Sequence, residues 1–430
     1  MSENPQLTGL SGLFGAVGTV HAVRTNGWLP PRCHMYSAAT GNLTAIRASF
    51  TGDVHMPYGT GRAYDDPAHA RLIAISEAME RYSALVFDER RFVTASAKDL
   101  GENALDLDSV ARCSARELRR PGCPIIPADT TADLRWVAGM ELRTQRDVFL
   151  PAVMVDLGFR RQRSERFWLP ISTGCATHVT LAAALVNAIC EVVERDAIAL
   201  TWLQKLPLPT LDHGYFTGPV RQMVDWCSER GISTYMFDAT TDIGVPTVYC
   251  VQLADTGYRA AQVVGCASDL DVAAAVERAL LEAMGMRGHM HAEPLVPRRY
   301  ADYDAASDGA TAMGRRSRRA AFSFLFDDLA SRPVTTSVPA EFASDSDRLG
   351  YLIRLLADKG LPVYAVDIST RELASIDHSA VRVVIPGLQP MSLRPLVQYR
   401  GHARLYDAPV RMGMRALPES RLNRWPQPVS

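Results

Sequence analysis

No part of this 430-residue sequence approaches the ~18 uninterrupted apolar residues that a membrane helix needs, although 47% of it is apolar. No spanning helix is expected, and the apolar fraction is free to build a sizeable core. Charge of one sign is also missing: 46 basic against 47 acidic side chains leave a formal net charge of -1. That balance removes any general electrostatic case for nucleic-acid or membrane partners. Lysine is nearly absent, confined to Lys98, Lys205 and Lys359, which reads first as the bias of a GC-rich genome. The eight cysteines include no C-x-x-C pair, so neither a zinc site nor a redox dithiol is expected from spacing. Met1-Ser-Glu-Asn-Pro-Gln lacks the basic-then-apolar layout of a signal peptide. A reduced, cytoplasmic protein with free thiols is the expectation. Several catalytic templates are missing as well: no G-x-x-x-x-G-K-[ST], no G-x-G-x-x-G after a strand, no H-E-x-x-H and no G-x-S-x-G.

What the chain has instead is three acidic helical segments set far apart. They read Ser76-Glu77-Ala-Met-Glu80-Arg81, then Asn187-Ala-Ile-Cys-Glu191-Val-Val-Glu194-Arg195, then Arg278-Ala-Leu-Leu-Glu282. Taken singly, each reads as an amphipathic helix with i,i+4 ion pairs: Glu77 with Arg81, Glu191 with Arg195, Arg278 with Glu282. All three, however, sit in Ala/Leu/Ile/Val-rich sequence, where an inward carboxylate is costly unless a cation or hydrogen bonds satisfy it. Convergence would make a multi-carboxylate cluster flanked by arginines. Such a cluster suits Mg2+ bridging a polyphosphate, with arginine on the phosphate oxygens.

The length suits two lobes or one large unit with a smaller attached part. Residues 1–56 read as a strand-rich segment and 57–430 as the catalytic unit with a Pro-containing tail. Helices are expected from Asp66-Pro67 to about Phe87, from Thr180 to Leu203, from Pro219 to Arg230, from Val272 to Met290 and from Ser346 to Lys359. A shorter one is expected near Asp108 to Leu118. Strands are expected at 135–142 and 147–156 as a pair, at 233–238, 247–253, 260–267, 362–368 and 381–385. Residues 302–319 read as the least structured stretch, with Arg315, Arg316, Arg318 and Arg319 as a solvated surface, and no internal repeat is visible. The mixture of antiparallel-looking hairpins with long helices argues α+β. Cys190 reads as a small core residue and His178 as structural. Gly59-Thr60-Gly61 is a weak candidate for approaching a phosphate.

The motifs Ala74-Ile-Ser76-Glu77-Ala-Met-Glu80-Arg81, Ser172-Thr-Gly-Cys-Ala through Glu194-Arg195-Asp196-Ala, and Arg278-Ala-Leu-Leu-Glu282-Ala resemble the signature of the YcaO family. The resemblance spans roughly residues 57 to 430. It implies a YcaO-type α+β fold with mixed and antiparallel sheets, and an ATP site without a P-loop. Glu77, Glu80, Glu191, Glu194 and Glu282 would be Mg2+ or metal-water ligands. Ser76, Asn187, Arg195 and Arg278 would contact the nucleotide, with Arg195 and Arg278 also catalytic, while Arg81 would be a structural ion pair.

The implied chemistry is ATP-dependent activation of backbone amides in a ribosomally made precursor peptide. The expected reaction is cyclodehydration of Cys, Ser or Thr to azolines; thioamide formation, macrocyclic amidine formation and a non-catalytic scaffold are the alternatives. Azoline-forming members end in Pro-x-Pro-x-Pro, whereas this chain ends Trp425-Pro426-Gln-Pro428-Val429-Ser430, with Ser430 at the last proline's place. By that resemblance the terminal carboxylate of Ser430 is the candidate general base. The sequence has no room for the fused peptide-binding domain of some members, so a separate leader-binding, E1-like partner protein is implied. A flavin-dependent azoline dehydrogenase and a homodimer complete the expected partners.

Overall fold

The computed structural model describes residues 13, 20–25, 29–43 and 57–429, apart from 159, 256–258, 293–295, 304, 306, 328, 330, 333–337 and 340. Among the described residues three sheets carry the fold. Strands β1 (Val20–Thr25), β2 (Cys33–Thr40) and β3 (Tyr58–Tyr64) form an antiparallel sheet in that order. The 56/57 position therefore falls between two neighbouring strands. Helix α1 (Pro67–Leu85) follows at once and lies on β3 and β2.

The second sheet takes β4 (Val93–Ser96), β5 (Asp133–Glu141), β6 (Arg146–Pro151) and β7 (Cys175–His178). It is completed by β13 (Tyr364–Asp367) and β14 (Ser379–Val384) in the order β4-β5-β13-β14-β7, with β6 on β5. Helix α2 (Leu181–Gln204) leads to the third sheet. That sheet is β11-β10-β9-β8-β12, where β8 is Thr210–Leu211, β9 Ile232–Asp238, β10 Thr247–Ala254, β11 Gln262–Ser268 and β12 Ser331–Arg332. Helix α3 (Gly218–Ser228) precedes β9, and α4 (Val272–Ala292) packs on β11 and β10. Helix α5 (Asp345–Ala357) packs on α2, and α6 (Arg404–Arg411) closes its other end. Mixed helices and largely antiparallel sheets are the α+β architecture expected.

Local chemistry explains where the long helices begin. Asp66 caps α1 by accepting from His69 N at 2.8 Å, with Pro67 in the first turn. Thr180 caps α2 by accepting from Ala183 N at 3.2 Å. Helix α2 is buried on nearly every side, as a helix apolar all round must be, and it runs between the second and third sheets. Its less buried positions are Leu181, Ala182, Asn187, Glu191, Val192 and Arg195. Three of these stand four apart and form one stripe.

The glycines before α1 serve packing. A Cβ on Gly61 would lie 1.8 Å from Ala70 O, and one on Gly59 2.4 Å from Ala74 O, so β3 rests directly on the α1 backbone. The two glycines of Gly59-Thr60-Gly61 thus have a packing role. Gly61→Ala is expected to destabilise the protein by about 2–3 kcal/mol in urea unfolding, because backbone cannot yield as a side chain would. A loss under about 0.5 kcal/mol would mean that strand and helix separate at little cost.

Three further expectations are corrected. Residues 147–156 are not one strand: β6 stops at Pro151 and Ala152–Val155 form a buried helical turn. The helix near Asp108 shrinks to the single turn Ala115–Leu118, capped by Ser114 and Glu117. Residues 302–319 are largely helical, with Asp308–Met313 in an α-helix and Arg316–Leu325 in a 3-10 helix. Arg319 there bonds Asp255 at 2.6 Å, and Arg318 lies 4.2 Å over the Trp425 ring. Arg318 and Arg319 are thus engaged, whereas Arg315 and Arg316 are exposed as expected.

The C-terminal tail is packed. Asn423 N donates to Leu203 O, Trp202 Nε1 donates to Trp425 O, and residues 426–429 are buried against the end of α2. All eight cysteines are free, and Cys190 is buried in the α2 core as expected. Among the described residues no helix is long and apolar enough to cross a membrane.

Candidate active site

One backbone device recurs three times around a single cavity. Thr60 N, in β3, donates to Glu77 in α1 at 2.6 Å, 17 residues on. Gly174 N, just before β7, donates to Glu191 in α2 at 2.9 Å, again 17 residues on. Cys266 N, in β11, donates to Glu282 in α4 at 2.7 Å, 16 residues on. In each unit a strand feeds a helix, and an N–H in or just before that strand fixes a carboxylate one face of the helix presents. Ser268 N adds a fourth bond, to Glu194, at 3.1 Å.

The cavity so framed has a volume of about 570 Å3, within the usual range for a cofactor site. Every described member of the expected set lines it: Ser76, Glu77, Glu80, Asn187, Glu191, Glu194, Arg195, Arg278 and Glu282. Ser430 lies outside the described residues. Its neighbour Val429 is buried in the same cluster as Cys266, which lines the cavity, and Met391, whose Sδ meets Arg195 Nη1 at 3.9 Å.

Two of the three expected helical ion pairs form. Arg81 bonds Glu77 at 2.6 Å and also the Tyr58 carbonyl, a structural role. Arg195 bonds Glu191 at 3.4 Å and stands 3.8 Å from Glu194. The third is corrected: Arg278 turns to Asp269 at 3.0 Å, while Glu282 is taken by the β11 backbone. Asp269 also bonds Arg348 at 3.3 Å. The physical reason is competition: a buried strand N–H needs an acceptor more than an arginine with an alternative carboxylate does.

The cavity is electrostatically unbalanced. Glu77, Glu80, Glu191, Glu194, Glu277 and Glu282 line it against Arg62, Arg195 and Arg278. Burial, then Glu191 and Glu77, push the Glu80 carboxyl well above its ordinary value. Burial pushes Glu194 up to about 7, with Glu282 adding to the rise and Arg195 opposing it. Burial raises Glu282 too. Burial opposes charge on Arg195, but Glu194, Glu191 and Glu282 outweigh it and hold the guanidinium above its ordinary range. Arg278 is raised likewise, with Glu194 and Asp269 outweighing burial.

These residues fit a divalent cation and a polyphosphate. Among the described residues no three acidic, His or Cys side chains already form a cage; Glu77, Glu191, Glu194 and Glu282 are engaged by backbone or arginine. Glu80, which makes no hydrogen bond among the described residues, is pressed by like charges. A hard cation relieves that repulsion with oxygen ligands, and the arginines are placed to meet phosphate.

Sequence reasoning missed several lining residues. Arg62 enters because α4 carries Gly285, where a Cβ would stand 2.1 Å from Arg62 Nε. A glycine inside a long helix was the available signal. Glu277 and His69 also line the cavity and carried no motif, and Thr60, from the weak Gly59-Thr60-Gly61 candidate, lines it too. His178 faces the cavity, with its pKa lowered by burial, and its ring accepts from Thr180 N at 3.4 Å.

Comparison with known proteins agrees with this geometry. A curated relative, an uncharacterized protein in the tfuA 3' region of Rhizobium leguminosarum bv. trifolii, is 32% identical over 239 residues, covering 53% of this chain and 54% of that protein. A heterocyclase solved in complex with substrate and cofactor matches with a TM-score of 0.82 at 23% identity, over 99% of this chain and 57% of its own. YcaO from Methanopyrus kandleri, bound with AMPPCP and Mg2+, matches with a TM-score of 0.62 at 18% identity, over 86% of each chain. These two likenesses establish the fold, and this chain spans little more than half the length of the relative and of the heterocyclase. The family model described as YcaO cyclodehydratase, ATP- and Mg2+-binding, matches residues 60–389. The chain belongs to the YcaO family of ATP- and Mg2+-binding cyclodehydratases.

Proposed function

We infer that this chain activates backbone amides of a ribosomally made precursor peptide, closing Cys, Ser or Thr side chains onto the preceding carbonyl to give thiazolines or oxazolines. The observation that carries this reading is the cavity in which six carboxylates and three arginines meet. When bound, ATP and Mg2+ supply the phosphoryl group that turns the amide oxygen into a leaving group.

The protein's residues do the rest. Glu77, Glu80, Glu191, Glu194 and Glu282 hold the metal. Ser76 and Asn187 position the nucleotide. Arg195 and Arg278 hold its phosphates and offset charge on the transferring group. The terminal carboxylate of Ser430 serves as general base; its neighbour Val429 belongs to the same buried cluster as Cys266 and Met391. A separate leader-binding partner presents the peptide. An azoline dehydrogenase acting afterwards and a homodimer belong to the same proposal.

The test is mass spectrometry of the precursor encoded beside this protein, incubated with the protein, its partner, ATP and Mg2+. Loss of one water per modified residue, with fragmentation placing a ring at Cys, Ser or Thr, is the expected result. Replacement of oxygen by sulfur, or a macrocyclic amidine in the fragments, would replace the azoline reading. An unchanged peptide with unconsumed ATP would leave a scaffold. Deleting residues 426–430 is expected to stop ring formation while calorimetry still shows nucleotide binding; undiminished product would remove the tail from the reaction.

A further inference from the structure

Two open recesses meet beside the C-terminal segment. The larger, of about 820 Å3, is walled by Lys205 just past α2, by Ala321 and Phe324 of the 3-10 helix, and by residues of the 417–425 segment. The smaller, of about 260 Å3, is walled by Arg116, Arg120, Leu396 and Arg400. Tyr300 and Arg424 line both, so the two form one groove. Its charge is one-sided. Lys205, Arg116, Arg120, Arg421 and Arg424 line it, and their side chains have no hydrogen bond or ion pair among the described residues. Arg400 is engaged by Asn423 O at 3.2 Å, and Glu419, the acidic wall residue, accepts from Ser114 Oγ at 2.6 Å.

Between the cations the walls are apolar, with Ala321, Phe324, Leu417 and Leu422. A concave surface of that kind focuses the field of its cations on whatever enters. The complementary occupant carries several carboxylates or phosphates and an apolar side chain. The aromatic rings argue for carboxylates. Arg318 lies 4.2 Å over the Trp425 ring, Phe324 meets Trp202 edge-on at 5.9 Å, and Tyr300 meets Tyr303 at 5.3 Å. Nucleobases need free ring faces to stack on, whereas the carboxylates of a peptide pair directly with guanidinium groups. The position of the groove argues for a substrate. Trp425 lines it, and Val429, four residues on, belongs to the same buried cluster as Cys266, a wall residue of the carboxylate chamber. Four residues of extended chain span at most about 14 Å, so a peptide held here begins a short distance from that cluster.

We propose that this groove anchors an acidic segment of the precursor peptide, away from the residue being modified. The proposal rests on the amide-activating reading above. It gives the catalytic chain its own hold on the precursor, besides the one made by the leader-binding partner.

The first probe is fluorescein-labelled Glu-Glu-Leu-Glu-Glu, added to the full-length protein and read by fluorescence anisotropy. At about 0.01 M salt its dissociation constant is expected on the order of 100 μM. Binding is expected to weaken several-fold at about 0.15 M, where the screening length falls from ~30 to ~8 Å. Labelled Gln-Gln-Leu-Gln-Gln is expected to show no saturable binding. Charge reversal in either wall, by Arg116→Glu with Arg120→Glu or by Arg421→Glu with Arg424→Glu, is expected to weaken the acidic probe at least about tenfold. Labelled precursor is expected to weaken with it, while both double variants keep wild-type AMPPNP affinity by calorimetry. In the modification assay both are expected to raise KM for the precursor with kcat held, because the lost contacts lie off the reacting amide. Equal binding of the glutamine probe, undiminished binding in both variants, or loss of AMPPNP in both would overturn the proposal. Tighter binding of a labelled thymidine pentanucleotide would overturn it in favour of a nucleic-acid strand. An unmoved KM in variants that release the partner protein would overturn it in favour of a protein contact. Precursor binding weakened by both variants, with no modified product from the wild type, would keep the groove and remove the azoline reading. Azoline formation with KM unmoved in both would do the reverse.

Discussion

Glu191→Ala is expected to lose ATP turnover by about three orders of magnitude, at the upper end of what removing one transition-state contact costs. Glu191 combines three roles. It faces the cavity from the central helix, it is fixed by Gly174 N at 2.9 Å, and it partners Arg195 at 3.4 Å. Its removal takes away an oxygen proposed to face the metal and loosens the arginine proposed to meet phosphate. The fold also loses an acceptor, at about 1–3 kcal/mol. Glu191→Gln separates these effects, because an amide oxygen still accepts from Gly174 N while the charge is gone. Both variants are expected to be inactive in phosphate-release assays, and the glutamine variant to melt close to wild type. A scaffold would retain partner binding and show no ATP turnover to lose; turnover within tenfold of wild type in both variants would remove Glu191 from the site.

Without Mg2+ the protein is expected to be more stable near pH 5.5 than near pH 7.5. Glu194 is pushed from its ordinary 4.5 up to about 7, chiefly by burial. Glu80 and Glu282 are raised as well. A carboxyl raised in the folded state binds its proton more tightly there than in the unfolded chain. Stability therefore falls as pH rises from the unfolded value, and the loss is complete once pH passes the folded one. For Glu194 that window runs from about 4.5 to about 7, and at ~1.4 kcal/mol per unit the loss is about 3 kcal/mol. Asp156, raised by burial to about 7, acts in the same sense. Exposed carboxylates such as Asp88, held at about 2 by Arg90, titrate below this window. Mg2+ at pH 7.5 is expected to recover the loss by neutralising the same carboxylates. Scanning calorimetry at both pH values, with and without Mg2+, measures it. A melting temperature that rises with pH in the metal-free protein, or ignores Mg2+ at pH 7.5, contradicts the assignment.

Much of the helical framework was legible. Asp66-Pro67 and Thr180 announce the starts of α1 and α2, and the structure places both within a residue of the expected positions. The acidic segments were legible because a glutamate in an alanine- and leucine-rich helix is costly without a purpose. Short and irregular elements were not. The buried turn Ala152–Val155 has the apolar composition of a strand, and only its packing makes it helical. The 302–319 segment looked unstructured because its order comes from distant partners, including Asp255 and Trp425. The repeated strand-to-helix device was invisible as a repeat. It uses backbone N–H groups and one glutamate per unit, so almost no side-chain identity recurs.

Residue chemistry and helical spacing were enough to name five of the six lining carboxylates and two of the three lining arginines, and to put Asn187, Glu191 and Glu194 on one face. Those rules act within one or two helical turns, where i, i+3 and i+4 positions are neighbours in any helix. What they could not settle was partnership across the fold. Only tertiary packing gave Glu282 to the β11 backbone and Arg278 to Asp269, and admitted Arg62 beside Gly285. Each of those contacts joins different secondary-structure elements or the loops between them, so its formation depends on how strands and helices close on one another.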